Sequence, residues 1–222
     1  MSPSLIDILF RPDAFFEHGA QEPESLKIPA LIVLTGGILA AAYGYLMGEL
    51  SARMMAGMMP GMDAIILISA VLGALVGTFI FWAVAAGIFY IISTFFKGSG
   101  SFNRVLEVVG YGYLPQIIGS LITLVAAIQY LPKITVPVLT KSALDDPEII
   151  ETAMAAFMHD PAMLELTQIT SLIAIVFMLW SANIWIFGMK HARKLSMRDA
   201  AICVGAPVIL YVVYVIYSLG AM

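Results

Sequence analysis

Two clusters of residues in this chain have side chains that could bind a metal ion. The first is Arg53-Met-Met-Ala-Gly-Met-Met-Pro-Gly-Met-Asp63, which holds five methionines in nine residues. Thioether sulfurs are soft ligands that select Cu(I), and Met54, Met58 and Met62 would share one face of a helix. A flexible apolar loop that dips into a membrane interface explains the same residues without a supporting His or Cys. We favour the apolar loop over a copper site.

The second cluster is acidic and lies in Asp145-Asp-Pro-Glu148, Glu151 and His159-Asp-Pro161. Carboxylates with a histidine can hold calcium or zinc, but this spacing matches no loop that wraps an ion. An acid followed by Pro is typical of a helix start, since the side chain caps free amides and Pro fits the first turn. The pattern therefore predicts two short helices, and we expect no metal.

Residues that could catalyse a reaction are not grouped. The single cysteine, Cys203, excludes an intrachain disulfide and a cysteine-based zinc cluster. No serine is flanked as in a nucleophile elbow. The segment Gly98-Ser-Gly100 lacks the preceding strand and third glycine of a dinucleotide fingerprint, so at most its amides form a small nest for a lipid phosphate. We expect a non-enzymatic protein without a cofactor.

The composition predicts an integral membrane protein. The 222 residues are 61% hydrophobic, and the mean hydropathy of +0.95 exceeds what a soluble fold of this size would bury. Uncharged runs longer than about 18 residues, without strand alternation, favour helices over a barrel. The predicted fold class is all-α, a helical membrane bundle, and the lack of a large basic surface argues against nucleic acid as a partner.

Five uncharged runs are long enough to cross a bilayer and follow an N-terminal segment, residues 1–27. The membrane domain is then 28–222, with an outer helical loop at 132–165. The N-terminal segment lacks a cleavable signal pattern, and its apolar face suits either a position at the membrane interface or packing on the bundle. The five runs are Ile28 to Gly48, Ala64 to Phe96, Val108 to Pro132, Leu166 to Met189 and Ala200 to Met222.

Lysine and arginine counts predict the orientation. With the N-terminus inside, eight of the 11 basic residues lie on the inner side and three on the outer side, which favours N-in and C-out. The inner eight are Arg11, Lys27, Lys97, Arg104, Lys190, Arg193, Lys194 and Arg198, and the outer three are Arg53, Lys133 and Lys141.

The third run has the least generic entrance. The turn Lys97-Gly-Ser-Gly-Ser-Phe-Asn-Arg104 leads into Gly110-Tyr-Gly-Tyr-Leu-Pro115. Gly110 and Gly112 allow a neighbour to approach closely, Tyr111 and Tyr113 suit the headgroup level, and Pro115 bends the helix. We expect a kinked membrane helix.

Small residues recur every four positions in the first two runs. Gly36, Ala40, Gly44 and Gly48 form one stripe, and Ser69, Gly73 and Gly77 form another. Such stripes allow close helix packing, which we expect mainly within the bundle, with a homo-oligomer as the alternative. The uncharged polar residues of the runs, which include Gln116, Thr123, Gln168 and Asn183, could hydrogen-bond between helices or line a path for a neutral solute.

These motifs together resemble the Yip family, which is named for its interaction with Ypt/Rab GTPases. The resemblance rests on Arg11-Pro-Asp-Ala-Phe-Phe16, on the turn and the Gly-Tyr-x-x-x-Pro element around Gly110, and on Lys190-His-Ala-Arg-Lys-Leu-Ser196. It implies five spans and a cytoplasmic N-terminus. Eukaryotic members act in vesicle trafficking and membrane shaping, but their Asp-Leu-Tyr-Gly-Pro motif has no counterpart before Lys27. That departure argues against a Rab-type GTPase partner and makes the pattern more similar to prokaryotic Yip-domain proteins. The resemblance therefore implies the plasma membrane of a prokaryote as the location.

The sequence thus predicts a protein that organises the lipid bilayer or membrane-protein partners, with a passive channel or transporter for a neutral solute or metal ion as the alternative. The basic loop from Lys190 to Asp199 could attract anionic lipid or an acidic protein, or could serve topology alone. The expected contact residues are Gly98, Gly100, Phe102, Gly110, Tyr111, Gly112, Tyr113, Pro115, Lys190, Arg193, Lys194 and Arg198.

Overall fold

A computed structural model describes residues 5–144 and 146–220, and this part of the chain is all-α. Two short 3₁₀ turns, Leu131–Lys133 and Lys141–Leu144, lie in the loop between α6 and α7. The helices are α1 Leu5–Phe10, α2 Pro12–Gly19, α3 Lys27–Met55, α4 Asp63–Phe95, α5 Phe102–Tyr111, α6 Leu114–Tyr130, α7 Pro147–Met158, α8 Pro161–Ala192 and α9 Met197–Gly220.

The predicted all-α bundle with five membrane-spanning helices is confirmed. The helices long and apolar enough to cross a bilayer are α3, α4, the α5–α6 pair, α8 and α9. Their outward faces expose large aliphatic side chains such as Leu72 and Ile209, with 53% and 62% of their surface accessible. An aqueous protein would bury such residues, so these faces suit lipid.

The third span is broken rather than kinked. Helix α5 ends at Tyr111, and α6 begins at Leu114 with Pro115 in its first turn, so the interruption precedes the proline. A Cβ on Gly112 would fall on the Trp185 indole, which occupies the gap. The Tyr113 amide donates to the Gly110 carbonyl, which leaves the Val109 carbonyl without its usual partner in a helix. The Trp185 Nε1 donates to this Val109 carbonyl at 3.0 Å. A side chain from α8 therefore satisfies the backbone at the break.

Close packing of α3 and α4 depends on the glycines of α3. A Cβ on Gly44 would lie 2.9 Å from the Ala70 carbonyl, and one on Gly48 would lie 3.0 Å from the Ala70 Cβ. The stripe of α4 behaves differently, because nothing lies within 4 Å of a Cβ built on Gly73 or Gly77. The expectation that Gly73 and Gly77 pack within the bundle is wrong; they line an open groove together with Gly36 and Ala40.

The N-terminal segment packs along α8. The Trp180 Nε1 donates to the Leu9 carbonyl at 3.2 Å, and Ile8 and Phe16 are buried in the main core. The opposite side of α1 stays apolar and exposed, with 71% of Phe10 accessible. Of the two interpretations of this segment, packing on the bundle is present in the structure, and its position at the membrane interface stays a prediction.

The outer loop contains one α-helix rather than two. Asp146 accepts from the Glu148 amide at 3.1 Å and caps α7, as predicted, whereas Asp145 lies outside the described residues. The second acid-proline pair starts the long helix α8, whose Ala162 amide donates to Asp160 at 2.9 Å. No short second helix forms, because the apolar pattern continues without a stop from Pro161 into the fourth span.

The candidate metal residues are used for packing and capping. Met54 is buried in a second core cluster with Leu50, and Met58 packs against that cluster. The Leu139 amide donates to the Met54 carbonyl at 2.7 Å, which joins this end of α3 to the outer loop. Across residues 5–144 and 146–220, no three His, Cys, Asp or Glu residues are grouped as a metal site.

We predict that Gly112→Ala destabilises the bundle by about 1–3 kcal/mol, since an added methyl overpacks the Trp185 site. Thermal unfolding in detergent, followed by circular dichroism, measures the change. Gly73→Ala is the matched control, because its methyl meets open space and Ala favours the helix. Equal unfolding midpoints for Gly112→Ala and Gly73→Ala would contradict this account of the break.

Candidate functional site

Three of the motif-bearing segments meet at one end of the bundle, which we call the inner end because the lysine and arginine count predicts it to be cytoplasmic. They are α2, the turn at residues 97–101 between α4 and α5, and the loop at residues 193–196 between α8 and α9. The Ser99 amide donates to the Arg193 carbonyl at 2.9 Å and joins the last two. We refer to these two segments as the paired turns.

Each of the paired turns begins with the same helix ending. At the end of α4 the Gly98 amide donates to the Ser93 carbonyl at 2.9 Å, and at the end of α8 the Leu195 amide donates to the Lys190 carbonyl at 3.0 Å. Each of these hydrogen bonds is the longer of the two bonds in a Schellman motif. In that motif the residue just before the donor has a left-handed backbone conformation. That residue is a lysine in both helices, Lys97 with φ 56° and Lys194 with φ 53°. The backbone therefore fixes where both lysines leave the bundle.

Arg193 clamps the paired turns together. Its Nε donates to the Ser93 hydroxyl at 2.9 Å, its second guanidinium nitrogen donates to the Gly98 carbonyl at 2.7 Å, and the third donates to the Gly100 carbonyl. The guanidinium carbon lies 4.3 Å from the Tyr90 ring centre. Only 3% of Arg193 is exposed, so a buried charge is satisfied by acceptors on three sides.

Gly100 is required at the point where the turns touch. Its φ of +132° is unfavourable for side chains, and a Cβ there would fall on the Ala192 carbonyl. Ser101 then opens α5 by accepting from the Arg104 amide at 3.0 Å, and its own hydroxyl donates to Glu24. The Gly/Ser segment is thus a structural turn that joins helices, which leaves its amides little role as a phosphate nest.

The N-terminal segment is held to the same end by charge. The Asp13 carboxylate accepts from Lys190 Nζ at 2.7 Å and lies 2.7 Å from His191 Nε2. These hydrogen bonds, first from Lys190 and then from His191, lower the pKa of the Asp13 carboxyl below its ordinary 3.8. Lys190 is therefore occupied within the chain.

A second ion pair holds the linker between α2 and α3. Arg104 and Glu107 are 2.8 Å apart, and both side chains are largely buried. Arg104 also donates to the Glu22 carbonyl at 2.6 Å and to the Gly19 carbonyl at 3.3 Å. The sequence predictions missed this pair and placed both residues before the third span. Their spacing of three on a helix was the available signal.

The tyrosines of the entrance are buried, although the sequence predicts rings at the headgroup level. Tyr111 packs edge-on against Phe15 with ring centres 5.2 Å apart, and only 9% of it is exposed. Tyr113 is 6% exposed and lies deeper in the bundle. A Cβ on Gly110 would lie 2.6 Å from Pro29 Cβ, so α3 approaches α5 at that glycine. These residues of the motif form the core rather than a surface.

A cavity of about 290 Å³ lies under α2, where these groups meet. The Arg104–Glu107 pair supplies its polar wall, and the aromatic rings of α2 supply its apolar wall. Of its charged groups, Arg104 is paired with Glu107, and His191 contacts Asp13. The lining includes Phe15, Phe16, Arg104, Glu107, Tyr111 and His191.

The paired turns leave a basic patch exposed, which consists of Lys97, Lys194 and Arg198. No acidic group lies within 4.0 Å of these three cations among the residues that the structure describes. Phe95 and Phe102, 80% and 40% exposed, lie in the flanking helix ends. Of the four predicted basic contact residues, Lys194 and Arg198 are available to a partner. Lys190 and Arg193 are not, because the fold uses their charges internally.

We predict that Arg193→Lys lowers the free energy of unfolding by about 3 kcal/mol, because one ammonium cannot reach the acceptors of both turns. Thermal unfolding in detergent tests this. Arg198→Lys makes the same chemical change at an exposed position and should leave stability within about 0.5 kcal/mol of the wild type. If both variants unfold at the same temperature as the wild type, Arg193 does not hold the paired turns together.

Acidification should weaken the docking of the N-terminal segment on the bundle. Because the folded-state pKa of Asp13 is lowered, its carboxylate stabilises the docked segment above pH 3.8 and loses that contribution as the pH falls through the folded value. Spin labels on Ala14 and Ser99 should report a narrow distance distribution at pH 7 that broadens below pH 3.8.

Asp13→Asn should broaden the same distribution already at pH 7. The matched control is Glu17→Gln, which removes a charge from the exposed side of the same helix and should keep the distribution narrow. A narrow distribution for Asp13→Asn at pH 7 would show that the carboxylate does not hold the segment.

Comparison with known proteins supports the motifs on which the resemblance rests. The family description "Yip1 domain" matches residues 6–219. An uncharacterized protein of the archaeon Methanocaldococcus jannaschii is 38% identical over 121 residues, which cover 54% of this chain and 86% of the relative. No solved structure matches this chain. Because the family match extends from α1 to the end of α9, the chain belongs to the Yip1 domain family.

Proposed function

We propose that this membrane protein organises lipid or membrane-protein partners by binding them at the basic patch of its inner end, without catalysing a reaction. The observation that carries the proposal is the set of three exposed cations, Lys97, Lys194 and Arg198, that have no acidic partner in the described parts of the chain. Among the other inner basic residues, Arg104, Lys190 and Arg193 are matched within the fold. Arg11 and Lys27 are also exposed, but they belong to the N-terminal segment. Lys97, Lys194 and Arg198 are therefore the exposed cations beside the paired turns that are left for an external group.

The hydrogen-bonded backbone that carries the basic patch favours binding. Each lysine sits at a helix ending whose backbone is hydrogen-bonded, and Arg193 joins the two endings. A partner therefore meets cations whose backbone positions are fixed before it arrives, which reduces the ordering cost of association. Each basic residue near an anionic surface is worth about 1 kcal/mol, and exposed Phe95 and Phe102 add apolar contact with a bilayer or a membrane helix.

The alternative, a channel or transporter, gains no support from the polar residues on which it depends. The Gln116 amide donates to Ser181 at 3.2 Å and so links α6 to α8. Gln168 and Asn183 are exposed on the outside of the bundle. Met54, the first residue of the methionine cluster, is buried in an apolar core. These residues do not line one shared path through the described part of the bundle.

Reversal of the basic patch should remove its partners. We predict that the triple variant Lys97→Glu, Lys194→Glu and Arg198→Glu loses most of the crosslinked neighbours of the wild type, or most of its co-purified anionic lipid. Crosslinking in the native membrane followed by mass spectrometry identifies protein neighbours, and lipid analysis of the purified chain identifies anionic lipid. The two measurements separate the two kinds of partner.

The control is the triple variant Arg53→Glu, Lys133→Glu and Lys141→Glu. It carries the same change in net charge at the opposite end of the bundle. It should keep the neighbours and lipids of the wild type. An unchanged set of neighbours and lipids in the inner-end variant, with thermal stability equal to the wild type, would exclude the basic patch as the contact surface.

A further inference from the structure

A groove opens on the side of the bundle where the glycine stripe of α4 is unpacked. It encloses about 370 Å³ and is lined by residues of α3, α4, α6, α8 and α9, and by Tyr113. A smaller hollow of about 130 Å³ shares Phe81, Met178, Trp185 and Tyr211 with it, so the two form one lateral groove. From Gly73 to Phe89 this groove follows α4 for about 24 Å at 1.5 Å per residue.

The wider part of the lateral groove lies at the depth of the hydrocarbon core. Gly77 is 14 residues from the outer end of α4 and 18 from its inner end. At 1.5 Å per residue these distances are about 21 and 27 Å, which places Gly77 near the middle of a bilayer. A molecule in the groove is therefore a membrane component that enters from the side.

The lining of the groove is polar in one part and apolar in the other, and it carries no charge. The narrow hollow is almost entirely aliphatic and aromatic, as suits a hydrocarbon chain. No Asp, Glu, Lys, Arg or His is among the lining residues of either part. The wider part carries uncharged polar side chains, namely Thr78, Tyr113, Gln116, Ser120 and Tyr211.

Tyr113 supplies the observation that points to a ligand. Its side chain lines the groove and 6% of the residue is exposed, yet its hydroxyl is buried and has no hydrogen-bond partner in residues 5–144 and 146–220. An unpaired hydroxyl in an apolar interior is unfavourable, because it has lost its hydrogen bonds with water. By contrast, the Thr78 hydroxyl donates to the Ala74 carbonyl at 2.9 Å. The Tyr113 hydroxyl is therefore an unpaired donor in the wall of the groove.

We propose that the lateral groove binds an uncharged membrane lipid with a long hydrocarbon chain and a carbonyl or hydroxyl group, such as an isoprenoid quinone, an isoprenoid alcohol or a diacylglycerol. The chain lies along the narrow hollow, and the oxygen accepts from Tyr113 in the wider part. A charged headgroup is disfavoured, because a phosphate at this depth would have no cation to pair with.

A second copy of the chain would satisfy the lateral groove less well than a lipid. The spacing of Gly73 and Gly77 permits helix association, but an apolar helix face would leave the buried Tyr113 hydroxyl without an acceptor. A lipid oxygen removes that cost. The two occupants predict different effects of the same variants.

The test uses the full chain purified in detergent and two probes with the same decyl chain on a six-membered ring, decyl-benzoquinone, which has two ring carbonyls, and decylbenzene, which has none. We expect the quinone to bind and raise the thermal unfolding midpoint in a saturable way, and decylbenzene to bind at least tenfold more weakly. Tyr113→Phe removes the hydroxyl and keeps the ring, so it should weaken quinone binding roughly two- to tenfold. It should leave decylbenzene binding unchanged.

Gly77→Leu places a bulky side chain in the groove, at a position where a Cβ meets nothing within 4 Å. It should abolish quinone binding at concentrations that saturate the wild type. Gly87→Leu is the matched control, because Gly87 is also open on the same helix but lies outside the groove lining. This control should bind the quinone as the wild type does.

Lipid extraction from the purified proteins identifies the native ligand by mass. We expect a neutral lipid retained near one per chain in the wild type and in Gly87→Leu, and depleted in Gly77→Leu. Equal quinone binding by Gly77→Leu and the wild type would overturn the proposal. So would a chain that carries only bulk phospholipid, or one whose Gly77→Leu variant loses a dimer while its neutral-lipid content is unchanged.

Discussion

The buried guanidinium of Arg193 is the interaction on which the inner end of the bundle depends. A charge with 3% exposure is strongly unfavourable unless acceptors surround it, and here two carbonyls of one turn and the Ser93 hydroxyl do so. The same residue offers its carbonyl to Ser99, so the two turns are joined in both directions. The ends of α4 and α8 are thereby fixed relative to each other, and the exposed lysines at those ends are fixed with them.

A second constraint operates where the third span breaks. Trp185 fills the space over Gly112 and donates to Val109, while Trp82 donates to the Leu106 carbonyl at 2.8 Å. Indole donors from two neighbouring helices therefore reach the carbonyls of α5. A broken helix inside a membrane is stable only if such groups satisfy its backbone. Trp185 also lines the lateral groove, so the break and the groove share one side chain.

The two proposed surfaces follow from these constraints and differ in chemistry. The inner end is densely hydrogen-bonded, and its remaining cations face outward, which suits an anionic or acidic partner. The lateral groove is open because Gly73 and Gly77 have no neighbour there, and it is uncharged because it lies at the depth of the lipid chains. Both surfaces use backbone positions that the bundle holds in place, although they lie in different environments.

Membership of the Yip1 domain family was accessible from the motifs, because they are local runs of residues that the sequence displays directly. The helix starts at Asp146 and Asp160 were equally accessible, since a cap depends on residues two or three positions away. The cap of α9 is local in the same way, since the Asp199 amide donates to the Ser196 hydroxyl at 3.1 Å. Local signals of this kind survive folding because tertiary contacts do not compete with them.

The sequence by itself determined that this is an all-α membrane protein with five spans, because apolar length and self-contained backbone hydrogen bonding leave few other solutions in lipid. The tertiary structure alone decided which charges are free. Arg193 and Lys194 are neighbours in a basic loop, yet one is buried between two turns and the other is exposed. Their difference arises from partners about 100 residues away, Ser93 and the following turn, and no local pattern encodes such a contact. The same holds for Gly44 and Gly73, whose shared spacing leads to close packing in one helix and an open groove in the other.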